Sequence, residues 1–240
     1  MRFTSELQHD DGVLERAFTV GEVPGVLWTR GDEPAPLLLL GHPGGVHGMH
    51  PRLMARARAS IDEGFAAATV ELPGSGDRPR IEVLEAARAD LRRALAHGEP
   101  VAEVVERLVP PLVDAAAPEH QAVLDALLAL PDVRGPVGLA GGVIALGVRL
   151  ALVEPRLSAA VLFAGSYLPR GTFEEARQVT IPLQVLLQWD DEGNDRQQAL
   201  DLFDALGSKE KTLIANLGGH TGVPQSAAEA GNRFFVRHLR

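Results

Sequence analysis

The chain has 240 residues, of which 45% are hydrophobic and 23% are charged, and its formal net charge is −9 at pH 7. This composition is typical of a globular protein, and the length suits a single domain over residues 1–240. The negative charge argues against nucleic acid or an anionic membrane as the main partner, because both need a basic surface. The chain has no cysteine, which excludes disulfides, thiol nucleophiles and cysteine-bound zinc.

The sequence also argues against export or membrane insertion. Residues 1–21 carry acidic and polar side chains early and no apolar segment of signal-peptide length. The longest apolar stretch, residues 137–148, is shorter than the roughly 18 residues that a membrane helix needs. We therefore expect a cytoplasmic protein without a membrane partner, and the sequence leaves a homodimer open.

Strand and helix patterns alternate along most of the chain. Residues 36–40 and 65–72 are apolar runs typical of strands buried on both faces, and residues 52–62 between them predict a helix. This βαβ unit implies a parallel sheet. Further strands are predicted at residues 15–20, 25–29, 159–163, 183–187 and 211–215, and one more directly before residue 140. Further helices are predicted at residues 143–152, 196–206 and 227–238, and a short helical turn at 174–177. The pattern predicts an α/β domain of about eight strands.

The middle of the chain has more helix than a crossover needs. Helices are predicted at residues 81–96, 101–115 and 118–130, with breaks at 97–100 and 116–118. Because crossovers between strands are usually short, we expect residues 80–117 to form a lid over a pocket. The alternative is that these helices only cover a face of the sheet.

The segment 136–147 has the pattern of a nucleophile elbow without a nucleophile. In G-x-S-x-G between a strand and an apolar helix, a strained turn presents the serine. Gly138 and Gly142 occupy the two glycine positions, but residue 140 is alanine, whose methyl group cannot attack a carbonyl. Two explanations are open. Either the natural protein has serine and this copy is a knockout, or the alanine is natural and the protein binds a ligand or supports a non-hydrolytic reaction.

Two later loops, at residues 187–192 and 217–222, contain Asp191 and His220 and follow predicted strands. With residue 140 they stand in the chain order nucleophile, acid and histidine that a serine hydrolase of this kind needs. With these loops the chain resembles an α/β-hydrolase over residues 36–240, near the dienelactone hydrolases and prolyl-oligopeptidase-like esterases. The resemblance implies an α/β-hydrolase fold of mostly parallel strands with helices on both faces. It implies catalytic positions at Ala140, Asp191 and His220. Asp190 remains an alternative acid, because the Val-Pro that often follows the acid in this family is absent.

The loop His42-Pro43-Gly44-Gly45 resembles the oxyanion loop H-G-x-G of the same family. Pro43 has no N–H to donate, but it occupies the first glycine position of this motif, and the family's donor is the next residue. The resemblance therefore implies the backbone N–H groups of Gly44 and Gly141 as the oxyanion-hole donors. The expected lining of the substrate pocket is His42, Pro43, Gly45, Ser75, Ser166 and Trp189.

The function that the resemblance implies is hydrolysis of a carboxylic ester, thioester or lactone, with a small-molecule acyl substrate and no cofactor or metal. Without a nucleophile at position 140, we expect this activity to be absent or very low. Three other hydroxyls are available, those of Ser75, Ser166 and Thr221, but none lies on an elbow and we expect none to act as the nucleophile.

The sequence disfavours two other kinds of site, a metal site and a dinucleotide site. His42, His47 and His50 have a spacing that could suggest a metal site, but a glycine-rich loop gives little of the rigid support that metal ligands need. A dinucleotide site is disfavoured because neither G-x-G-x-x-G nor a phosphate-binding G-x-x-x-x-G-K-[ST] motif is present.

Overall fold

The computed structural model describes residues 1–31 and 33–240. The strands are β1 (Arg2–Gln8), β2 (Leu14–Val20), β3 (Val23–Thr29), β4 (Ala35–Gly41), β5 (Ala66–Val70), β6 (Val133–Gly141), β7 (Leu157–Phe163), β8 (Leu183–Gln188) and β9 (Lys211–Asn216). The helices are α1 (Val46–Asp62), α2 (Glu82–His97), α3 (Ala102–Leu128), α4 (Ile144–Val153), α5 (Arg170–Ala176), α6 (Arg196–Ala205) and α7 (Gln225–Leu239).

The strands form one nine-stranded sheet in the order β1-β2-β3-β5-β4-β6-β7-β8-β9. The first three strands pair antiparallel, including β3 with β5, and every pairing from β5 through β4 to β9 is parallel. Because parallel strands end at the same edge of a sheet, the loops after β4, β6, β8 and β9 lie together there. The prediction of a mostly parallel sheet is confirmed.

The central strands are apolar on both sides because helices cover both faces of the sheet. Along β4, Leu37 and Leu39 belong to the core that includes α3 and α4, while Leu38 and Leu40 belong to the core that includes α1 and α7. This alternation follows from the two-residue period of a strand. All four leucines are at most 3% exposed, which explains why β4 reads as a continuous apolar run.

Two features of the fold differ from the sequence predictions. The break predicted at residues 116–118 is wrong, since α3 runs unbroken from Ala102 to Leu128 with Pro118 inside it. A proline weakens a helix by removing one hydrogen bond, but the buried side chains before and after it keep α3 packed on the sheet. Strand β1 was not predicted, because its side chains are almost all exposed and leave no apolar alternation.

None of the helices in the described part of the chain has the length and apolar character needed to cross a bilayer.

Candidate active site

The turn after β6 is built from glycine. Ala140 remains in the sheet, paired with Leu40 of β4 and Val161 of β7. The next two residues, Gly141 and Gly142, have φ of +71° and +88°, and no non-glycine residue of the described chain has a positive φ. The left-handed turn therefore begins one residue later than the sequence motif suggested. The physical reason is that glycine has no Cβ to oppose a left-handed conformation.

The space beside the two glycines differs. A Cβ at Gly141 would lie 3.3 Å from Nη2 of Arg56, a side-chain neighbour, whereas a Cβ at Gly142 would lie 2.9 Å from the Cα of Gly41. A side chain can give way but backbone cannot. Position 141 can therefore accept a small side chain at a cost in backbone strain, and position 142 cannot without moving β4.

An aspartate and a histidine meet beside this turn. Nδ1 of His220, from the loop between β9 and α7, lies 2.8 Å from Oδ2 of Asp191, which follows β8. The second oxygen, Oδ1, accepts a hydrogen bond of 2.7 Å from the backbone N–H of Gly193. The Asp191 side chain is completely buried and that of His220 is 43% exposed. This pairing holds the ring so that Nε2 is the nitrogen left for proton transfer.

The neighbouring aspartate makes no contact with the histidine. Oδ2 of Asp190 accepts a weak hydrogen bond of 3.4 Å from the backbone N–H of Gly218. The structure therefore places Asp191, and not Asp190, against His220.

Two residues that the sequence did not indicate shape the position of the imidazole. The ring of Phe163 meets that of His220 edge to face, with ring centres 5.3 Å apart. A Cβ at Gly165 would overlap the ring of Phe163 and would lie 3.0 Å from Cε1 of His220, so this glycine leaves room for both rings. Both residues lie at or just after the end of β7, where an aromatic residue followed by glycine could have been recognised as part of the same sheet edge.

The turn and His220 open onto one cleft of about 360 Å³. The cleft also contacts α1, α7 and the ends of the central strands, and most of its walls are apolar. Among its lining residues are Ala140, Gly141, His42, Pro43, Ser166, Phe163 and His220. A volume of this size is within the usual range for small-molecule sites, about 300–1,000 Å³.

Five of the residues expected at the site do not line this cleft: Asp191, which reaches it only through its hydrogen bond to His220, and Gly44, Gly45, Ser75 and Trp189. The indole of Trp189 turns outward, where the guanidinium of Arg196 lies 4.4 Å above its ring. Gly45 packs against the backbone of Gly76, where an added Cβ would come within 2.9 Å of Cα. Ser75 is buried in the loop that follows β5. The structure corrects the expected pocket accordingly.

The loop after β4 is held by two buried polar side chains. His42 is 3% exposed and its Nε2 lies 3.0 Å from the carbonyl oxygen of Val70, to which it donates. Burial lowers the pKa of His42, so the ring is neutral near pH 7. The carboxylate of Glu71 accepts a hydrogen bond of 2.7 Å from the backbone N–H of Val46 at the start of α1.

The three histidines with metal-like spacing do not point to a common centre. Whereas His42 is bonded to Val70, the Nε2 of His50 lies 2.8 Å from Oε1 of Glu15 on β2. In the part of the chain that the structure describes, no group of three or more His, Asp or Glu side chains is arranged to hold a metal ion.

Sequence reasoning missed Arg56 of α1, which ties the ends of two strands together. Its Nη1 donates to the carbonyl oxygen of Gly41 over 2.8 Å, and its Nη2 donates to that of Ala140 over 2.5 Å. Burial, with a smaller contribution from Arg52, lowers the pKa of this guanidinium to about 10, so it is charged at pH 7. An arginine next to the buried Leu53, Met54 and Ala57 of α1 was the available signal.

The helices between β5 and β6 lie away from the cleft. Helix α2 packs on the first part of α3 through Leu84, Ala87, Leu108 and Leu112, and residues 113–127 of α3 pack on the sheet. No described residue between 80 and 117 lines the cleft. The role of this segment as a lid stays a prediction.

No family model and no curated protein matches the sequence. Solved structures do match over nearly the whole chain. A cold-adapted esterase from an Arctic intertidal metagenomic library, bound to PEG, is 26% identical with a TM-score of 0.80, and the match covers 100% of both chains. The chain has the α/β-hydrolase fold.

Two other α/β-hydrolase structures are similar at lower identity. Dienelactone hydrolase from Anabaena variabilis is 20% identical with a TM-score of 0.68, and the match covers 95% of this chain and 100% of that one. An esterase from Pyrococcus furiosus is 10% identical with a TM-score of 0.65, covering 100% and 91%. At these identities the last two bear on the fold alone, and the likeness to the Arctic esterase supports the hydrolase class of enzyme for this chain.

Proposed function

We propose that the chain carries the acyl-hydrolase site of the α/β-hydrolase fold, for a carboxylic ester, thioester or lactone, with Ala140 in place of the nucleophile. The observation that carries the proposal is the 2.8 Å contact between His220 and the buried Asp191 at the edge of a cleft that also contains residue 140. The likeness to the Arctic esterase over the whole chain supports the same class of reaction.

In this proposal each group has a defined role in acyl transfer. A hydroxyl at the turn would give its proton to Nε2 of His220 while its oxygen attacks the carbonyl, and Asp191 would stabilise the resulting imidazolium. The tetrahedral oxyanion would be bound by backbone N–H groups, for which Gly44 and Gly141 are the proposed donors. His220 would then return the proton to the leaving group. Since alanine has no hydroxyl, the chain as written should hydrolyse esters very slowly or not at all.

A ligand-binding or non-hydrolytic protein is the second candidate, and one observation favours it. A nucleophile normally occupies the strained residue of the elbow, but here the left-handed residues are Gly141 and Gly142, and Ala140 keeps an ordinary strand conformation. If serine had simply been replaced by alanine, we would expect the alanine itself to occupy the strained position.

The test is to place a hydroxyl group at position 140 and, in a separate variant, at position 141. Ala140→Ser and Gly141→Ser should be assayed in parallel on activated esters, thioesters and lactones. The acyl-hydrolase proposal predicts a gain of about 100-fold or more in kcat/KM for at least one of them, because His220, which is hydrogen-bonded to Asp191, already lines the same cleft as residues 140 and 141. Gly141→Ser has the added cost of a left-handed side chain, about 1–2 kcal/mol.

Two further variants make the result specific. Adding His220→Ala to the active serine variant should abolish the gain, whereas adding Ser166→Ala should not. If neither serine variant gains activity on any substrate and both fold, the acyl-hydrolase proposal is wrong and the binding alternative stands.

A further inference from the structure

Two arginines of α1 face the cleft without a carboxylate partner among the described residues. Arg52 and Arg56 are one helical turn apart, and both line the cleft. Other arginines of the described chain do form ion pairs, including Arg58 of the same helix, whose Nε lies 2.6 Å from Oδ2 of Asp11. Neither Arg52 nor Arg56 is in ion-pair contact with any described carboxylate.

The contacts of Arg56 are incomplete for a partly buried cation. A guanidinium has five N–H donors, and the two backbone carbonyls that it contacts carry no net charge. Withdrawing a charge from water costs free energy that neutral partners only partly offset, and Arg52 adds a second positive charge nearby. A bound anion would relieve both effects.

Most of the remaining wall of the cleft is apolar. Its walls near the sheet and α7 include Leu38, Leu40, Val161, Leu186 and Phe235. The cleft therefore joins a cationic end to a hydrophobic wall. The guanidinium of Arg56 also lies beside the turn, with Nη2 3.3 Å from where a Cβ of residue 141 would be. A ligand that satisfies both surfaces needs an anionic head and an apolar body.

We propose that this cleft binds a carboxylate that carries an apolar chain, with the carboxylate on Arg56 and Arg52 and the chain against the leucines, Val161 and Phe235. The planar fork of a guanidinium matches the two oxygens of a carboxylate. The apolar wall favours such an amphiphile over a small inorganic anion. The proposal goes beyond hydrolysis, because a ligand of this class can bind whether or not the chain cleaves an ester.

The first experiment compares three probes on the unaltered chain by isothermal titration calorimetry: octanoate, octanamide and acetate. Octanamide keeps the chain and removes the charge, and acetate keeps the charge and removes the chain. We expect octanoate to bind at least about 10-fold more tightly than either, since charge-assisted hydrogen bonds are roughly twice as strong as neutral ones. Equal binding of octanoate and octanamide, or no binding of octanoate, would overturn the proposal.

The second experiment assigns the charge to these two residues. Arg52→Gln and Arg56→Gln should each weaken octanoate binding at least about fivefold while changing octanamide binding little. Arg58→Gln, on the same helix but paired with Asp11 outside the cleft, is the matched control and should leave octanoate binding unchanged. If Arg56→Gln fails to fold, the binding of octanoate to Arg52→Gln still tests the proposed carboxylate site. If Arg58→Gln weakens octanoate binding as much as the two cleft variants do, the effect comes from the overall positive charge of α1, and the proposed site is wrong. None of these readouts depends on ester hydrolysis, so the acyl-hydrolase proposal can fail separately.

Discussion

Gly41 and Gly141 lie opposite each other at the ends of the parallel strands β4 and β6, and a Cβ added at Gly41 would come within 2.6 Å of the carbonyl oxygen of Gly141. It would also lie 2.7 Å from the Cα of Gly142. These neighbours are backbone atoms of the turn beside the cleft. The absence of a side chain at Gly41 is therefore what lets the turn fold against β4.

We accordingly expect Gly41→Ala to destabilise the protein and to displace the turn. The free energy of unfolding should fall by about 2 kcal/mol or more, in the range of overpacked sites, measured by urea denaturation. Gly48→Ala is the matched control, because this glycine is inside α1 and a Cβ there meets nothing within 4 Å. It should stabilise the protein by up to about 1 kcal/mol. Equal effects of the two substitutions would show that the close approach at Gly41 is unimportant.

A second prediction separates the two adjacent aspartates. In whichever serine variant is active, Asp191→Asn should lower kcat by several orders of magnitude, because an amide can neither fix the proper tautomer of His220 nor stabilise its positive charge. Asp190→Asn should change kcat less than about threefold, since within the described residues the Asp190 carboxylate has one hydrogen bond, a weak one from the backbone N–H of Gly218. Steady-state kinetics of both variants tests this, and the reverse order of effects would make Asp190 the acid.

The sequence predicted the groups whose position follows from strand order. Asp191 and His220 were expected together because each follows a strand of one parallel sheet, and the loops at that edge must meet. The conformation of residue 140 was not predictable, because three successive small residues allow the left-handed turn to begin at more than one position. Arg56 was missed because its partners are backbone carbonyls of residues 15 and 84 positions away, and no side-chain pattern marks such contacts.

The last prediction concerns two buried neutral histidines, His42 in the loop after β4 and His120 in α3. His120 is 7% exposed and its Nδ1 donates to the carbonyl oxygen of Ala116 over 2.8 Å. Burial lowers the pKa of both rings below the usual 6.5. The unfolded chain therefore binds protons near pH 6.5 that the folded chain does not.

The free energy of unfolding should consequently be highest above pH 7 and should fall as the pH drops below about 6.5. Each histidine should contribute up to about 1.4 kcal/mol per pH unit to the slope of this free energy against pH. His120→Asn keeps a donor for Ala116 but removes the titrating ring, so it should reduce this slope by about half. His97→Asn is the control, because His97 makes the same contact of 2.8 Å with a carbonyl four residues earlier, that of Arg93, but is exposed. Urea denaturation from pH 5 to 8 measures the slopes. If His120→Asn has the same slope as the unaltered chain, His120 does not contribute to the acid sensitivity, and the prediction for this residue is wrong.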